Sequence, residues 1–166
     1  MKRHGLFLAI LLLLIPAVVA AQPVQVFILA GQSNMQGHAH VRTFEHIGMD
    51  PATKPLLAEM QNADGSPRVC ERVWISSIGC AEAEQTGRLT TGFGASQNGP
   101  KIGPEFTFGI TMEKLVDCPI LLIKTSWGGK SLNTDFRSPS AGPYVFNETQ
   151  LATFKKQGKE HRGHQG

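Results

Sequence analysis

The residue best suited to chemistry in this sequence is Ser33, which follows a short apolar run and a glycine within residues 24–37. A serine hydroxyl becomes a nucleophile when a base takes its proton and hydrogen-bond donors face the developing oxyanion. A serine between a strand and a helix start has its own backbone N–H and the helix dipole available for that purpose. The same pattern is typical of an N-cap serine, whose hydroxyl accepts a backbone hydrogen bond. The pattern alone leaves both interpretations open.

The histidines are poor candidates for the base that Ser33 needs. His38 and His40 follow Ser33 on its predicted helix or the next turn, where side chains point away from the serine. We expect these two and His46 to be surface histidines. His161 and His164 lie in the polar C-terminal stretch.

Residue spacing also argues against metal and nucleotide sites. The pairs His38-x-His40 and His161-x-x-His164 lack the third protein ligand that a catalytic zinc ion needs. Gly129-Lys130-Ser131 matches the end of a phosphate-binding loop, but Lys124 stands where that motif requires glycine. The sequence therefore predicts no metal, nucleotide or redox cofactor.

Three apolar runs predict the strands that position Ser33. They are Val24–Ala30, Val73–Ile78 and Pro119–Thr125. Continuous apolar runs of this length are typical of parallel strands buried on both faces. The sequence therefore predicts an α/β fold.

A helix and a loop are predicted between the second and third strands. Gly103-Pro104-Glu105 indicates a helix start, with proline at the first helical position and Glu105 near the positive end of the dipole. The buried face of that helix is predicted to contain Phe106, Ile110, Met112 and Leu115. Residues 88–102 are rich in Gly, Ser, Thr and Asn, which predicts a surface loop.

The first 21 residues have the pattern of a secretory signal peptide. Lys2 and Arg3 precede an apolar run from Leu6 to Ile15, and Ala20 or Ala21 is the expected last residue removed. Cleavage leaves 14 of the 16 basic residues against 13 acidic ones, so a nucleic-acid partner is not indicated. We expect an exported protein, periplasmic, surface-held or extracellular, with a membrane contact only if the signal stays uncleaved.

The three cysteines allow at most one internal disulfide bond. Cys70 with Cys80 is the economical pair and leaves Cys118 over. Three small buried thiols are an equally good interpretation.

Three sequence blocks, taken together, resemble a known family. Gly31-Gln32-Ser33-Asn34-Met35, Gly103-Pro104-Glu105 and residues 124–132 resemble, in order and spacing, the sialate O-acetylesterase-like family. That family includes the acetylxylan esterases of carbohydrate esterase family six and belongs to the SGNH, or GDSL-like, hydrolases. The resemblance covers about residues 24–150 and implies a three-layer α/β/α, flavodoxin-like parallel sheet.

The resemblance also implies roles for individual residues. Ser33 is the nucleophile, and Gly128 and Gly129 provide oxyanion donors together with the Ser33 N–H. Gln32, Asn34 and Glu105 frame the substrate pocket. For Gly128 and Gly129 an ordinary turn is the alternative, and for Glu105 a helix-dipole partner is the alternative. The implied substrate is an O-acetylated carbohydrate, on sialic acid, xylan or another glycan.

Two blocks of the family pattern do not follow Leu132. These are a Trp-x-Gln-Gly block on a fourth strand and a C-terminal Asp-x-x-His that supplies the base. We expect a chain truncated or frame-shifted near residues 155–160, with the C-terminal strands missing. The expected organisation is a signal peptide over 1–21, a partial esterase domain over 22–154 and a disordered polar tail over 155–166.

Three functional hypotheses follow from this pattern. The first is a serine-dependent carbohydrate O-acetylesterase of which this chain carries the nucleophile half. The second is an inactive carbohydrate-binding remnant, and the third is a gene fragment without function.

Overall fold

The computed structural model describes residues 22–158. The predicted signal peptide and residues 159–166 lie outside the described residues. The strands are β1 Gln25–Gly31, β2 Ala39–His40, β3 Val73–Ile78, β4 Gln85–Arg88, β5 Lys101–Ile102 and β6 Ile120–Ser126. The helices are α1 Ser33–Gln36, α2 Phe44–Met49, α3 Lys54–Met60, α4 Pro104–Leu115 and α5 Glu148–Lys156. Short 3-10 turns span Val41–Thr43 and Pro139–Ala141.

The main sheet of the described residues has the strand order β1-β6-β3-β4. Strands β1, β6 and β3 are parallel, so Gly31 at the end of β1 pairs with Ser126 at the end of β6. The α/β prediction is confirmed, and all three predicted strands form within one residue of their expected bounds. Strand β4 was not predicted, because an edge strand of sequence Gln-Thr-Gly-Arg has no apolar run; it pairs antiparallel with β3.

The core lies on one face of this sheet, which we call the inner face. Ile75 of β3 and Leu122 of β6 pack there with Phe44 of α2, Met60 of α3 and Phe106 of α4. All five side chains are buried. A fully buried side chain of this size contributes about 1.5–3 kcal/mol to stability.

The opposite face of the sheet is open in the described part of the chain. Exposed fractions there are 44% for Val26, 70% for Ile28 and 39% for Trp74. The prediction that these strands are buried on both faces is therefore wrong for the described residues. Helices α2, α3 and α4 all pack against the inner face.

Helix α4 begins at Pro104, as predicted from the Gly-Pro-Glu pattern. Phe106 and Ile110 are buried and Met112 is partly buried against the core. The prediction for Leu115 is wrong, because this last helical residue is 69% exposed. Helix α4 thus spans the inner face with its N-terminus at the carboxyl edge of the strands.

The segment between β4 and β5 is less exposed than a surface loop. Leu89, Phe93 and Ala95 are buried. Their side chains belong to an otherwise polar stretch, so composition alone concealed the buried positions. The segment packs against the core and brings the Phe93 carbonyl within hydrogen-bond distance of Lys124 in β6.

Three further predictions concern the cysteines, the tail and the membrane. All three thiols are free, with Cys70 and Cys80 buried and Cys118 half-buried, so the Cys70–Cys80 bridge is not formed. Lys155 and Lys156 end α5, although the sequence predicted disorder from Lys155 onwards. Within residues 22–158, no helix has the length and apolar character to cross a membrane.

Candidate active site

Ser33 lies at the carboxyl end of β1, where the chain turns from the strand into α1. Gln32 is the N-cap of this four-residue helix, and its side-chain Oε1 accepts from the Ser33 N–H at 3.3 Å. The Ser33 hydroxyl donates to the same Oε1 atom at 2.9 Å. Ser33 is half-buried. In this arrangement the serine proton is held by a neutral amide oxygen.

Glycine permits the tight turn that presents Ser33. A Cβ on Gly31 would lie 2.7 Å from the Met35 Cβ, so a larger residue would push α1 away from the end of β1. Gly37, at the end of α1, has φ +82° and its N–H donates to the Ser33 carbonyl at 3.1 Å. The Ser33 turn is therefore closed at both ends by glycine.

Gln36 links the Ser33 turn to the turns that follow β3 and β6. Its side-chain Nε2 donates to the Gly79 carbonyl at 3.0 Å. A Cβ on Gly128 would lie 2.7 Å from Gln36 Oε1, which places the Gly128 backbone directly beside α1. Three parallel strands thus end at one place, and open α/β sheets bind their ligands at such a carboxyl edge.

A buried salt bridge lies beneath the Ser33 turn. Lys124 Nζ is 2.6 Å from Glu105 Oε2, and both side chains are 0% exposed. The same Nζ donates to the Phe93 carbonyl at 2.8 Å and the Gln36 carbonyl at 3.0 Å. Glu105 Oε1 accepts the Gly103 N–H at 2.8 Å. The carboxylate thus caps α4 and carries a lysine partner at the same time.

Sequence reasoning gave no role to Lys124. A lysine at an inward-facing position of an apolar strand was the available signal, because a buried lysine is rare without a partner. Glu105 was expected to frame a substrate pocket, and the structure places its carboxylate under the Ser33 turn instead of on a surface. The two residues are far apart in sequence and come together only because α4 packs on β6.

Cys80 and Ser126 fill the space between the ends of β3 and β6. Cys80 Sγ lies 3.3 Å from Ser126 Oγ and 3.7 Å from the Gln36 carbonyl. Both residues are buried. Cys80 thus connects the end of α1 with the end of β6.

The remaining expected site residues lie near the turn with fewer contacts. Asn34 is exposed, and its side chain makes no hydrogen bond to any described residue. Gly129 has φ +71°, and a Cβ there would meet no atom within 4 Å. The Gly129 conformation thus favours glycine through its backbone angle alone.

Among residues 22–158, no histidine or carboxylate hydrogen-bonds to the Ser33 hydroxyl. His40 lies in β2, which pairs with β5 so that His40 is opposite Lys101. Desolvation and then the charges of Arg42 and Lys101 lower the pKa of His40 below its ordinary value. His161 and His164 lie outside the described residues.

A second charged cluster lies at the other end of α4, near the start of β3. Glu113 accepts from Arg68 Nη2 at 3.0 Å and from the Arg72 N–H at 2.8 Å. Burial opposes ionisation, but these hydrogen bonds and the Arg68 charge outweigh it and lower the pKa of Glu113. A shallow pocket between α3 and this cluster lies at the amino end of β3, away from Ser33. No three His, Cys, Asp or Glu side chains within residues 22–158 are grouped to hold a metal ion.

Comparison with known proteins gives one match. The family model described as "Carbohydrate esterase, sialic acid-specific acetylesterase" matches residues 23–161, which is most of the chain. None of the curated proteins and none of the solved structures matches this chain. The matched range contains the Ser33 turn, the Gly128 turn and the Lys124–Glu105 pair. On this match, the chain belongs to the carbohydrate esterase family of sialic acid-specific acetylesterases.

Proposed function

We propose that the chain carries the nucleophile part of a carbohydrate O-acetylesterase, with Ser33 as the nucleophile. Ser33 Oγ would bond to the carbonyl carbon of a sugar acetate while its proton passes to a base. The bond from carbon to the sugar oxygen then breaks, and that oxygen takes a proton. Water attacks the acetyl-serine and releases acetate, which restores Ser33.

One observation carries this proposal: Ser33 stands at the carboxyl end of β1, on the short helix α1 whose Gln36 side chain lies beside the Gly128 turn. The Gln36 contacts with Gly79 and Gly128 bring the three strand ends together. Family membership supports the substrate class, an acetyl ester of a carbohydrate. The particular sugar, sialic acid, xylan or another glycan, is part of the proposal.

The proposed oxyanion donors are the backbone N–H groups of Ser33, Gly128 and Gly129. The Ser33 N–H has only a long 3.3 Å contact to Gln32 Oε1, which a substrate carbonyl oxygen can replace. Gln36 Oε1 occupies the space where a Cβ of residue 128 would lie, so a larger residue than glycine fits there only if Gln36 moves. Gln32 and Asn34 then frame the pocket at its open side.

The rate of ester hydrolysis depends on how readily the Ser33 hydroxyl loses its proton. The Gln32 amide accepts the hydroxyl hydrogen but cannot carry a proton away. Hydrolases that lack a triad member keep about 10³- to 10⁴-fold acceleration over water, through oxyanion donors and binding. We therefore propose weak ester hydrolysis by the described residues.

The contact between Ser33 and Gln32 also favours a second function. A pocket that holds its serine on a neutral amide can bind an acetylated glycan without turnover. This alternative is a carbohydrate-binding protein derived from an esterase. It predicts glycan binding that survives Ser33→Ala.

The deciding experiment compares Ser33→Ala with Ser66→Ala, using a chromogenic acetyl ester, acetylated xylan and an O-acetylated sialic acid. Ser66 is an exposed serine in the loop before β3, at the amino-terminal side of the sheet. We expect acetate release to fall in Ser33→Ala to the residual rate that the oxyanion donors and binding support without a nucleophile, and to stay unchanged in Ser66→Ala. Equal rates in Ser33→Ala and the parent would refute Ser33 as nucleophile. Binding without acetate release in the parent would favour the second function.

Export is a separate proposal that rests on the leader pattern of residues 1–21. N-terminal sequencing of the protein recovered from outside the cytoplasm should begin at residue 21 or 22. A mature chain that starts at Met1 would contradict cleavage.

A further inference from the structure

The Lys124–Glu105 pair is the most completely buried charged group among the described residues. Both side chains are 0% exposed, whereas the other salt bridges each contain a partner that is at least 30% exposed. Every ammonium hydrogen of Lys124 has an acceptor: Glu105 Oε2, the Phe93 carbonyl and the Gln36 carbonyl. The pair is therefore fixed in position on all sides.

These contacts join four segments at the Ser33 turn. Lys124 belongs to β6, Gln36 ends α1, Phe93 lies between β4 and β5, and Glu105 lies in the first turn of α4. Glu105 Oε1 holds the Gly103 N–H, so the start of α4 is part of the same network. One buried ammonium group sets the relative position of all four.

Helix α1 transmits this constraint to Ser33. Its last carbonyl, on Gln36, is held by Lys124, and the Gly37 N–H donates to the carbonyl of Ser33 itself. The Gln36 N–H closes the same turn on the Gln32 carbonyl at 2.7 Å. With only four residues, α1 has little stability of its own, so its position depends on such tertiary contacts.

Fold stability alone is a poor reason for such a pair. Replacing a buried ion pair by well-packed apolar residues is often neutral or stabilising, because burying the charges costs as much as their attraction returns. What apolar residues cannot supply is a set of directed donors to two backbone carbonyls. The chemistry of Lys124 thus suits fixing backbone positions better than filling the core.

We propose that Lys124 and Glu105 are positioning residues for Ser33. Glu105 orients the ammonium group, Lys124 fixes the end of α1, and α1 fixes the Ser33 hydroxyl relative to the Gly128 turn. The effect on catalysis rests on the proposed esterase function, whereas the effect on the turn does not.

Glu113 provides a matched control within the same helix. Each of the two carboxylates accepts a backbone N–H on Oε1 and a cationic side chain on Oε2. Glu105→Gln and Glu113→Gln therefore make the same change, because an amide has one acceptor oxygen where the carboxylate has two. Only Glu105 is linked to α1.

The test measures amide hydrogen exchange in both variants at a temperature where each is folded. We expect the Gln36 and Gly37 amides to exchange roughly tenfold faster or more in Glu105→Gln, and to be unchanged in Glu113→Gln. The Leu89 amide, which donates to the Val73 carbonyl in the core, reports global opening in both. With a working esterase, Glu105→Gln should lower kcat about 10- to 100-fold and leave KM nearly unchanged.

The double variant Lys124→Met/Glu105→Leu keeps the test decisive if Glu105→Gln does not fold. It removes both charges and should fold, yet it lacks the donors, so the Gln36 and Gly37 amides should again exchange faster. Normal exchange at these two amides in either folded variant would overturn the proposal, as would equal acceleration at Leu89. If the parent hydrolyses no faster than Ser33→Ala, the proposed function fails while the exchange result still decides the positioning role.

Discussion

Gly37 and Gly103 pack backbone against backbone, so that a Cβ on Gly37 would lie 2.2 Å from Gly103 Cα. This contact joins the end of α1 to the residue before α4. The Ala95 N–H donates to the Gly37 carbonyl at 2.9 Å, which brings the β4–β5 segment to the same point. A side chain at residue 37 would separate three segments that support the Ser33 turn.

Gly37→Ala should therefore destabilise the fold more than its backbone angle explains. The positive φ costs a non-glycine residue about 1–3 kcal/mol, and overlap with a fixed backbone adds about 1–3 kcal/mol. Gly65→Ala is the matched control, because Gly65 has φ +81° and open space around its Cβ position. Urea unfolding should give a clearly larger loss for Gly37→Ala, and equal losses would contradict the close packing.

Features coded by local sequence were predictable here, and features made by packing were not. Strand Val73–Ile78 and the start of α4 at Pro104 follow from an apolar run and from a proline at the first helical position. Strand β4 depends on a neighbour in the sheet, so its polar residues carried no signal. The exposure of Ile28 likewise depends on what covers the outer face.

The site divides in the same way. The position of Ser33 between β1 and α1 was predicted from the strand, the glycine and the serine alone. The partnership of Glu105 with Lys124 was not, because it requires the N-terminus of α4 to lie over β6. The Gln32 contact with Ser33 was missed because nothing in sequence tells an amide that frames a pocket from one that holds its neighbour.

Removal of the buried lysine should cost far more stability than removal of an exposed one. Lys124→Met leaves the Glu105 carboxylate buried without its cation, which costs about 3–5 kcal/mol. Lys114 pairs with Glu59 at 2.7 Å, but both side chains are about half exposed, so Lys114→Met should change stability by less than about 1 kcal/mol. The comparison is made from urea midpoints of the two variants. Similar midpoints would mean that the salt bridge between Lys124 and Glu105 is not formed in solution.

The Cys70 thiol should make the free energy of unfolding decrease as the pH rises through the alkaline range. Burial first and then the nearby Glu113 charge raise the pKa of the Cys70 thiol to about 12, whereas the pKa of an unfolded thiol is about 8.5. Below the unfolded pKa both states hold the proton, so the stabilising contribution is complete. Above it the unfolded state loses its proton first, and the contribution disappears as the pH rises from about 8.5 to about 12.

Cys70→Ala isolates this effect from other alkaline titrations. The variant should be less stable than the parent at pH 7, because a buried side chain is shortened. The difference between parent and variant should then shrink between pH 9 and 11 in urea unfolding. A difference that stays constant over this range would show that the thiol is not shielded from water.

Gly128→Ala should reduce ester hydrolysis while leaving the fold intact. The new Cβ would lie 2.7 Å from Gln36 Oε1, the end of a flexible side chain that can move, so stability should change little. That movement disturbs the contact between the Gly128 turn and α1, and misplacing a proposed oxyanion donor should cost roughly 10- to 100-fold in kcat/KM. Gly79→Ala is the contrasting variant, because its Cβ would lie 2.3 Å from the Ser126 carbonyl oxygen and should destabilise the whole sheet edge. Thermal unfolding and acetate release are measured on both variants, and an unchanged rate in a folded Gly128→Ala would remove Gly128 from the proposed oxyanion site.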